Sequence, residues 1–143
     1  MKILLIDLNK DLIELAEANG IECVYGDYFR EGYKQTRPVF VTASNPNFTF
    51  GGGIDYLFTK HFPELCRLKQ FNGGGSERIA NICFTITVDE YLKANKELVK
   101  EALLFAINNT DDNETLCLTG LGTNIGGMNI QEFIDLLLEL INK

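Results

Sequence analysis

Two glycine-bearing stretches concentrate the residues of this chain that could do chemistry: residues 39–55, VFVTASNPNFTFGGGID, and residues 114–129, ETLCLTGLGTNIGGMN. In each, an apolar run leads into a segment of small side chains, and an amphipathic helical pattern follows. A strand that hands over to a helix through glycine is suited to hold an anion. Glycine permits positive φ and a close backbone approach, while the unpaired N–H groups and positive dipole end of the next helix attract phosphate. Two such loops at one end of a sheet would hold a diphosphate between them. A third run, Gly73, Gly74 and Gly75, follows no apolar strand and precedes no helix, so residues 71–78 read as a flexible surface connection.

Other chemistries find less support. The four cysteines, Cys23, Cys66, Cys83 and Cys117, show no C-x-x-C spacing, and three of them fall in predicted strands, where cysteine acts as a small apolar residue. The single histidine, His61, lies in a predicted helix, so a histidine-based metal cluster or a Ser-His-Asp triad would rest on one residue. Neither a metal nor a cofactor is expected. A net charge of −7 argues against extended contact with nucleic acid, which needs clustered Lys and Arg. It leaves room for a small phosphorylated ligand, because backbone donors carry no formal charge. With 143 residues, 45% hydrophobic and 23% charged, the composition is that of one globular domain, residues 1–143, with a substantial core. The opening MKILLIDLNK is too short an apolar run to span a membrane and lacks the small-residue cleavage site of a secretory signal. It reads as a strand, and a soluble, cytoplasmic protein with no membrane partner is expected.

The elements that must position the two loops follow from periodicity. Residues 2–8 read as a buried strand, and residues 11–19 as a helix with Leu12, Ile13, Leu15 and Ala16 on one face, closed by Gly20. Residues 21–25 form a second strand, and Pro38 precedes a third at residues 39–43. Helical spacing returns at Ile54, Leu57, Phe58, Phe62 and Leu65, with Pro63 marking a kink or a break into two pieces. Residues 79–88 alternate and are rich in Ile, Thr and Phe, which predicts a strand; residues 90–108 predict a long helix with Leu92, Leu98, Ala102, Leu103 and Ala106 inward. A last strand at residues 115–119 and a closing helix at residues 129–141 complete the chain. Alternation of this kind predicts an α/β fold, a mostly parallel sheet covered on both faces with ligands at the carboxyl ends of its strands.

Two nucleotide motifs are missing. Asp7 ends the first strand and Asp27 the second, as in a dinucleotide-binding unit or a methyltransferase, yet the first turn, LNKD, holds no glycine and so lacks G-x-G-x-x-G. Neither glycine loop ends in the Gly-Lys-Ser/Thr of a Walker loop. What remains is an ordered set: GDY (Gly26, Asp27, Tyr28), TASN (Thr42, Ala43, Ser44, Asn45), GGGID (Gly51, Gly52, Gly53, Ile54, Asp55) and GTNIGG (Gly122, Thr123, Asn124, Ile125, Gly126, Gly127). In order and spacing this set resembles the macro domain family, whose patterns run GD(I/L), NAAN, GGG(G)VD and a late glycine-rich loop; the resemblance covers about residues 21–141. It implies a three-layer α/β/α sandwich with a mostly parallel mixed sheet. It also implies binding of ADP-ribose or a related phosphorylated nucleotide, free or carried by an ADP-ribosylated macromolecule.

Roles carried over by position are specific. Asp27, with Tyr28 beside it, would accept a hydrogen bond from the adenine amino group; its plainer role is to cap the next segment. Asn45 would contact the distal ribose through its amide or, with Pro46, merely turn the chain. Gly51, Gly52 and Gly53 would lie beside the distal ribose and diphosphate, and Gly122, Thr123, Asn124, Ile125, Gly126 and Gly127 would wrap the phosphates, unless both loops only turn tightly. Asp55 matches an acid that, with the equivalent of Asn45, is implicated in ADP-ribosyl hydrolysis in some branches of the family. As a catalytic pair, Asn45 and Asp55 would hold a water near the anomeric carbon; otherwise Asp55 is a first-turn acid favoured by the helix dipole.

The chain also departs from the family pattern. Asn124 stands where many members have glycine, although asparagine tolerates left-handed φ. Gly126 stands where an aromatic often closes over the distal ribose, which predicts a more open site or a lid from elsewhere. Thr59 stands where hydrolytic branches place a histidine. The segment GIDYLFTKHFPEL resembles the branch related to terminal ADP-ribose glycohydrolases, but Val88 or Asp89 falls where that branch has its lysine. Lys60 and His61 fit a solvated helix face. The implied activities are ADP-ribosyl hydrolysis or ADP-ribose-1″-phosphate dephosphorylation, set against a non-catalytic reader; a different nucleotide or an RNA end is a third reading, since phosphate loops do not by themselves choose a base.

Overall fold

Strict alternation along the central strands divides the interior into two cores. The computed structural model describes residues 1–123 and 126–142. Its strands are β1 (Lys2–Asp7), β2 (Cys23–Tyr25), β3 (Pro38–Val41), β4 (Glu77–Ile79), β5 (Ile82–Phe84) and β6 (Thr115–Leu118). They form one sheet in the order β2-β1-β6-β3-β5-β4, parallel throughout except for the antiparallel β4–β5 pair. The helices are α1 (Lys10–Ala18), α2 (Tyr28–Gly32), α3 (Gly53–His61), α4 (Pro63–Asn72), α5 (Lys96–Asn108) and α6 (Ile130–Ile141). Leu5, Val39, Val41, Leu116 and Leu118 face one way and pack with buried residues of α1, α5 and α6, among them Leu12, Leu103 and Phe133. Leu4, Ile6, Phe40, Ile82 and Cys117 face the other way, onto Phe29, Phe58 and Cys66 of α2, α3 and α4. The result is a three-layer α/β/α sandwich, and it explains why the inner strands read as unbroken apolar runs: both faces are covered.

The second core is aromatic, and one of its members does a polar task. Tyr28 packs edge-on against Phe29 and Phe40, with ring centroids 5.2 and 5.4 Å away. Its hydroxyl donates to the Cys117 carbonyl (2.6 Å) and accepts from the Val41 N–H (2.8 Å). The ladder between β3 and β6 ends at the pair Phe40–Cys117. The hydroxyl therefore fills the gap where these neighbours part, satisfying two backbone groups that the ladder no longer pairs. Tyr28, expected beside the ligand, borders the cleft and gives its ring and hydroxyl to the core.

Three expectations about the elements are corrected. Residues 79–88 are not one strand: the chain reverses at Ala80, whose φ is 53°, so that Ile79 of β4 faces Ile82 of β5, and only an isolated bridge between Ser44 and Ile86 continues the pairing. The helix expected from residue 90 begins at Lys96, capped by the Asn95 side chain, which accepts from Leu98 N (2.9 Å). Before it, the Asp89 carboxylate accepts from the N–H groups of Tyr91 (2.8 Å) and Lys93 (3.0 Å), a local capture that competes with helix formation and leaves Leu92 exposed rather than inward. Nor is the connection at residues 71–78 loose. Residues 71–72 end α4, residues 77–78 belong to β4, and the turn between them is tied to Lys69. That side chain is only 1% exposed and donates to Gly73 O (2.9 Å), Gly75 O (2.7 Å) and Glu77 Oε1 (3.0 Å). At Pro63 the chain breaks into two helices, as the proline implied. Among the described residues, no helix is long and apolar enough to cross a membrane.

Replacing Tyr28 by Phe keeps the ring and strands the Val41 N–H and the Cys117 carbonyl. A loss of about 1–3 kcal/mol is expected in denaturant unfolding. An unchanged midpoint would mean that β3 and β6 close on each other without the hydroxyl.

Candidate functional site

Where β3 and β6 part, at the carboxyl ends of the parallel strands, lies a cleft of about 850 Å³. That is within the range of small-molecule sites. The strand order lays its lining out as a sequence of stations. Gly26 and Asp27 follow β2, Asp7 ends β1, and Thr119 and Gly120 follow β6. Ala43 and Asn45 follow β3, and Thr87 and Val88 lie beyond β5 at the far side. Both glycine loops border this one cleft, as their positions in the sequence implied.

The loop after β3 leads into α3, whose N-terminus, like that of α4, has no side-chain cap. The Asn9, Asp27, Asn95 and Asn129 side chains cap α1, α2, α5 and α6, whereas the residue before α3 is Gly52, and no side chain caps it. The first intrahelical bond is from Tyr56 N to Gly52 O (3.3 Å), so the N–H groups of Gly53, Ile54 and Asp55 have no intrahelical partner. Gly51, Gly52 and Gly53 border the cleft, with Gly53 at φ 60°. Across from them, the loop after β6 is braced from within. Gly120 N donates to the Asp7 carboxylate (2.9 Å), Thr123 donates to Gly120 O through both N (3.0 Å) and Oγ1 (2.6 Å), and Met128 N donates to Gly122 O (2.9 Å). Gly122, Thr123 and Gly126 border the cleft; Gly127, exposed at φ 74°, does not. Asn124 and Ile125 lie outside the described residues.

Each polar residue expected at the site has a structural duty as well. Asp27 caps α2, accepting from Arg30 N (2.9 Å), while its side chain stays exposed at the cleft edge; a carboxylate that takes one N–H retains capacity for more. Asn45 organises its own loop. Its Oδ1 accepts from Asn47 N and Thr49 N (both 3.2 Å), and its Nδ2 donates to Thr49 Oγ1 (2.7 Å). Asp55 is 6% exposed in the cleft wall, in the first turn of α3, where it accepts from Ser44 Oγ (2.9 Å) and from the Ala43 backbone. Burial outweighs these bonds and pushes its carboxyl up to about 6. A carboxyl poised near neutrality can take and return a proton.

Compared with known protein families and with curated proteins, the chain matches no family model and no curated relative.

Several groups lie apart from this chemistry. Burial pushes the Cys66 thiol up to about 11 and those of Cys83 and Cys117 up to about 12, so none is a nucleophile near neutrality. His61 stacks on Phe29 at 4.0 Å, away from the cleft. Among the described residues, no three His, Cys, Asp or Glu side chains group closely enough to hold a metal ion.

Gly126 has a reason of its own. A Cβ there would lie 2.7 Å from both the Ala94 Cβ and the Gly122 carbonyl oxygen, and 3.0 Å from Val88 Cγ1. No aromatic fits, because the chain between β5 and α5 already occupies that side. Val88 bridges Ala94, and Ala94 N donates to Gly126 O (3.1 Å). This segment brings Glu90 and Leu92 to the cleft. Sequence reasoning missed both residues, and also Ser44 and Thr87. Thr85 and Thr87 did carry a signal, as two hydroxyls on one face of an otherwise apolar strand.

Two predictions follow from these contacts. Since the Asp55 carboxyl is raised from 3.8 to about 6, folding is penalised increasingly as pH rises through that window, and by a constant amount, about 3 kcal/mol, above it. Asp55→Asn should therefore be more stable than the parent at pH 7, by up to that amount, with the difference gone below about pH 4 in thermal melts. Gly126→Ala should lose about 1–3 kcal/mol of stability through overpacking, read from the same melts.

Proposed function

We propose that this chain is a macro domain protein and that its cleft binds ADP-ribose or a close derivative. The observation that carries the reading is the uncapped N-terminus of α3, set opposite the braced loop after β6 at the parting of two neighbouring strands. Backbone N–H groups from the two sides suit a diphosphate, which needs several donors and little room for side chains. The stations along the cleft then match the rest of the ligand: adenine at Asp27 beyond β2, and the distal ribose near Asn45 and Asp55 beyond β3. The four cysteines are free, which fits a reducing, cytoplasmic setting.

Among reactions, the lining favours hydrolysis of an ADP-ribosyl linkage over removal of a 1″-phosphate. Asp7, Asp27, Asp55 and Glu90 border the cleft, and no Lys, Arg or His does so among the described residues. A dianionic 1″-phosphate would meet Asp55 and Glu90 with no cation to offset them. For hydrolysis, the ionised Asp55 accepts a proton from water as the water oxygen bonds to the anomeric carbon. The bond from that carbon to the leaving group breaks, and the proton passes to the leaving group. Asn45, whose amide is taken up by its own loop, favours the second reading, a non-catalytic reader of ADP-ribosylated targets.

Isothermal titration with ADP-ribose tests the reading, with AMP and ribose 5-phosphate as controls. Micromolar binding that needs the whole ligand is expected. Asp27→Ala should weaken ADP-ribose about tenfold or more and leave ribose 5-phosphate unaffected, since a hydrogen bond to a charged group is lost. Equal losses for both would point to a different base or to an RNA end. Asp55→Ala should abolish release of ADP-ribose from an ADP-ribosylated substrate while preserving affinity; a parent protein without turnover supports the reader. No heat with ADP-ribose at millimolar concentration overturns the proposal.

A further inference from the structure

We propose that Thr87 and Leu92 form the subsite for the terminal sugar of the bound nucleotide, Thr87 through its hydroxyl and Leu92 by covering one face of the ring. The assignment rests on the ADP-ribose reading of the cleft and extends it to two residues which that reading does not use.

Thr87 is wholly buried, borders the cleft, and is held in place by its backbone N–H, which donates to Ser44 O (3.0 Å). Among the described residues, its Oγ1 is the one buried side-chain nitrogen or oxygen without a hydrogen-bond partner. Nearby hydroxyls behave otherwise. Ser44 Oγ bonds to Asp55 and to Thr42 Oγ1 (both 2.9 Å), Thr42 Oγ1 accepts from Thr85 N (2.9 Å), and Thr85 Oγ1 donates to Thr42 O. A buried hydroxyl left unpaired is costly, and valine would fill the same space without that cost. Its hydroxyl and methyl are nearly equal in size, so a turn about χ1 exchanges the two with little change in packing. The strand order decides which group that is. Thr87 lies beyond β5, at the opposite side of the cleft from Asp27. With adenine at Asp27 and the diphosphate between β6 and β3, the terminal sugar is what reaches it. A sugar hydroxyl both donates and accepts, and so satisfies threonine either way.

Leu92 provides the second, independent observation. It sits at φ 62°, in the left-handed region that favours glycine, and its apolar side chain is 48% exposed at the cleft. Strain and exposure at one residue need a compensating use. The turn that imposes them is firmly built: Leu92 N donates to Asp89 O (3.0 Å), Asp89 N donates to Lys93 O (2.9 Å), and the Asp89 carboxylate takes two more N–H groups. Its root is the contact of Ala94 with Gly126. An apolar lip so fixed suits the C–H face of a pentose.

Thr87→Val, Thr87→Ser and Leu92→Gly, each titrated with ADP-ribose and with ADP, test the assignment, since ADP keeps the diphosphate and lacks the terminal sugar. Thr87→Val should melt no lower than the parent yet bind ADP-ribose about tenfold more weakly, with ADP unaffected and the serine variant near the parent. Leu92→Gly, relieved of its strained backbone, should likewise keep its melting temperature and lose several-fold in affinity for ADP-ribose alone. Unchanged ADP-ribose binding in Thr87→Val and Leu92→Gly, or equal losses for both ligands together with a lowered melting temperature, would overturn the assignment and leave the reading of the cleft standing. A parent that binds ADP and not ADP-ribose, or neither, would overturn the reading itself and this assignment with it.

Discussion

The parting of β3 from β6 is the constraint on which the rest of the structure depends. Two neighbouring parallel strands in the middle of a sheet would ordinarily stay paired to their ends, because a buried N–H or carbonyl without a partner is costly. Here the ladder stops at Phe40 and Cys117, and the Tyr28 hydroxyl takes over the next donor and acceptor. The ring that carries it is clamped among Phe29, Phe40 and Phe58. The aromatic core on one face of the sheet thus holds open a crevice at the end of it. With that crevice in place, the chain after β3 and the chain after β6 leave on opposite walls, and their glycines face one another.

Electrostatically, the cleft works with partial rather than formal charge. The chain carries a net charge of −7, and the side chains that border the cleft include four acids. Asp7 is spent on the N–H groups of Gly120 and Asn9, and Asp27 takes one N–H, that of Arg30. Asp55 is left in apolar surroundings with few bonds, which lifts its carboxyl. Any attraction for an anion comes from peptide dipoles and unpaired N–H groups, which are strong at contact and fade quickly with distance. A site of this kind discriminates by fit, and offers little long-range steering.

Much of this was legible in the sequence. Apolar runs alternating with helical spacing set out most strands of the sheet, and two glycine loops at strand ends marked the walls of the cleft. What stayed hidden was local and steric. The reversal at Ala80 and Asn81 puts alanine, a residue with no turn preference, at the positive-φ position, so residues 79–88 read as one strand. Leu92 fits the spacing of the helix that follows, and it is excluded by the Asp89 carboxylate, which takes two backbone N–H groups, and by the bonding of Asp89 to Lys93 and of Ala94 to Gly126. Tyr28 sits in a motif that fixes where its backbone lies, while its side chain answers to the core. Lys69, to which the sequence assigned no role, is the buried cation that fastens the β4 turn, because three acceptors from residues 73–77 converge on it.

The close approach of Ala94, Gly122 and Gly126 has a consequence for how this protein can change over generations. A Cβ at position 122 would lie 3.0 Å from the Ala94 Cβ, and one at position 126 would lie 2.7 Å from it and from the Gly122 carbonyl oxygen. Ala94 lies far in the chain from the other two, yet substitutions at the three positions are coupled, since the cost of one depends on the size of its neighbours. An aromatic at position 126 is accommodated only if the segment between β5 and α5 moves first.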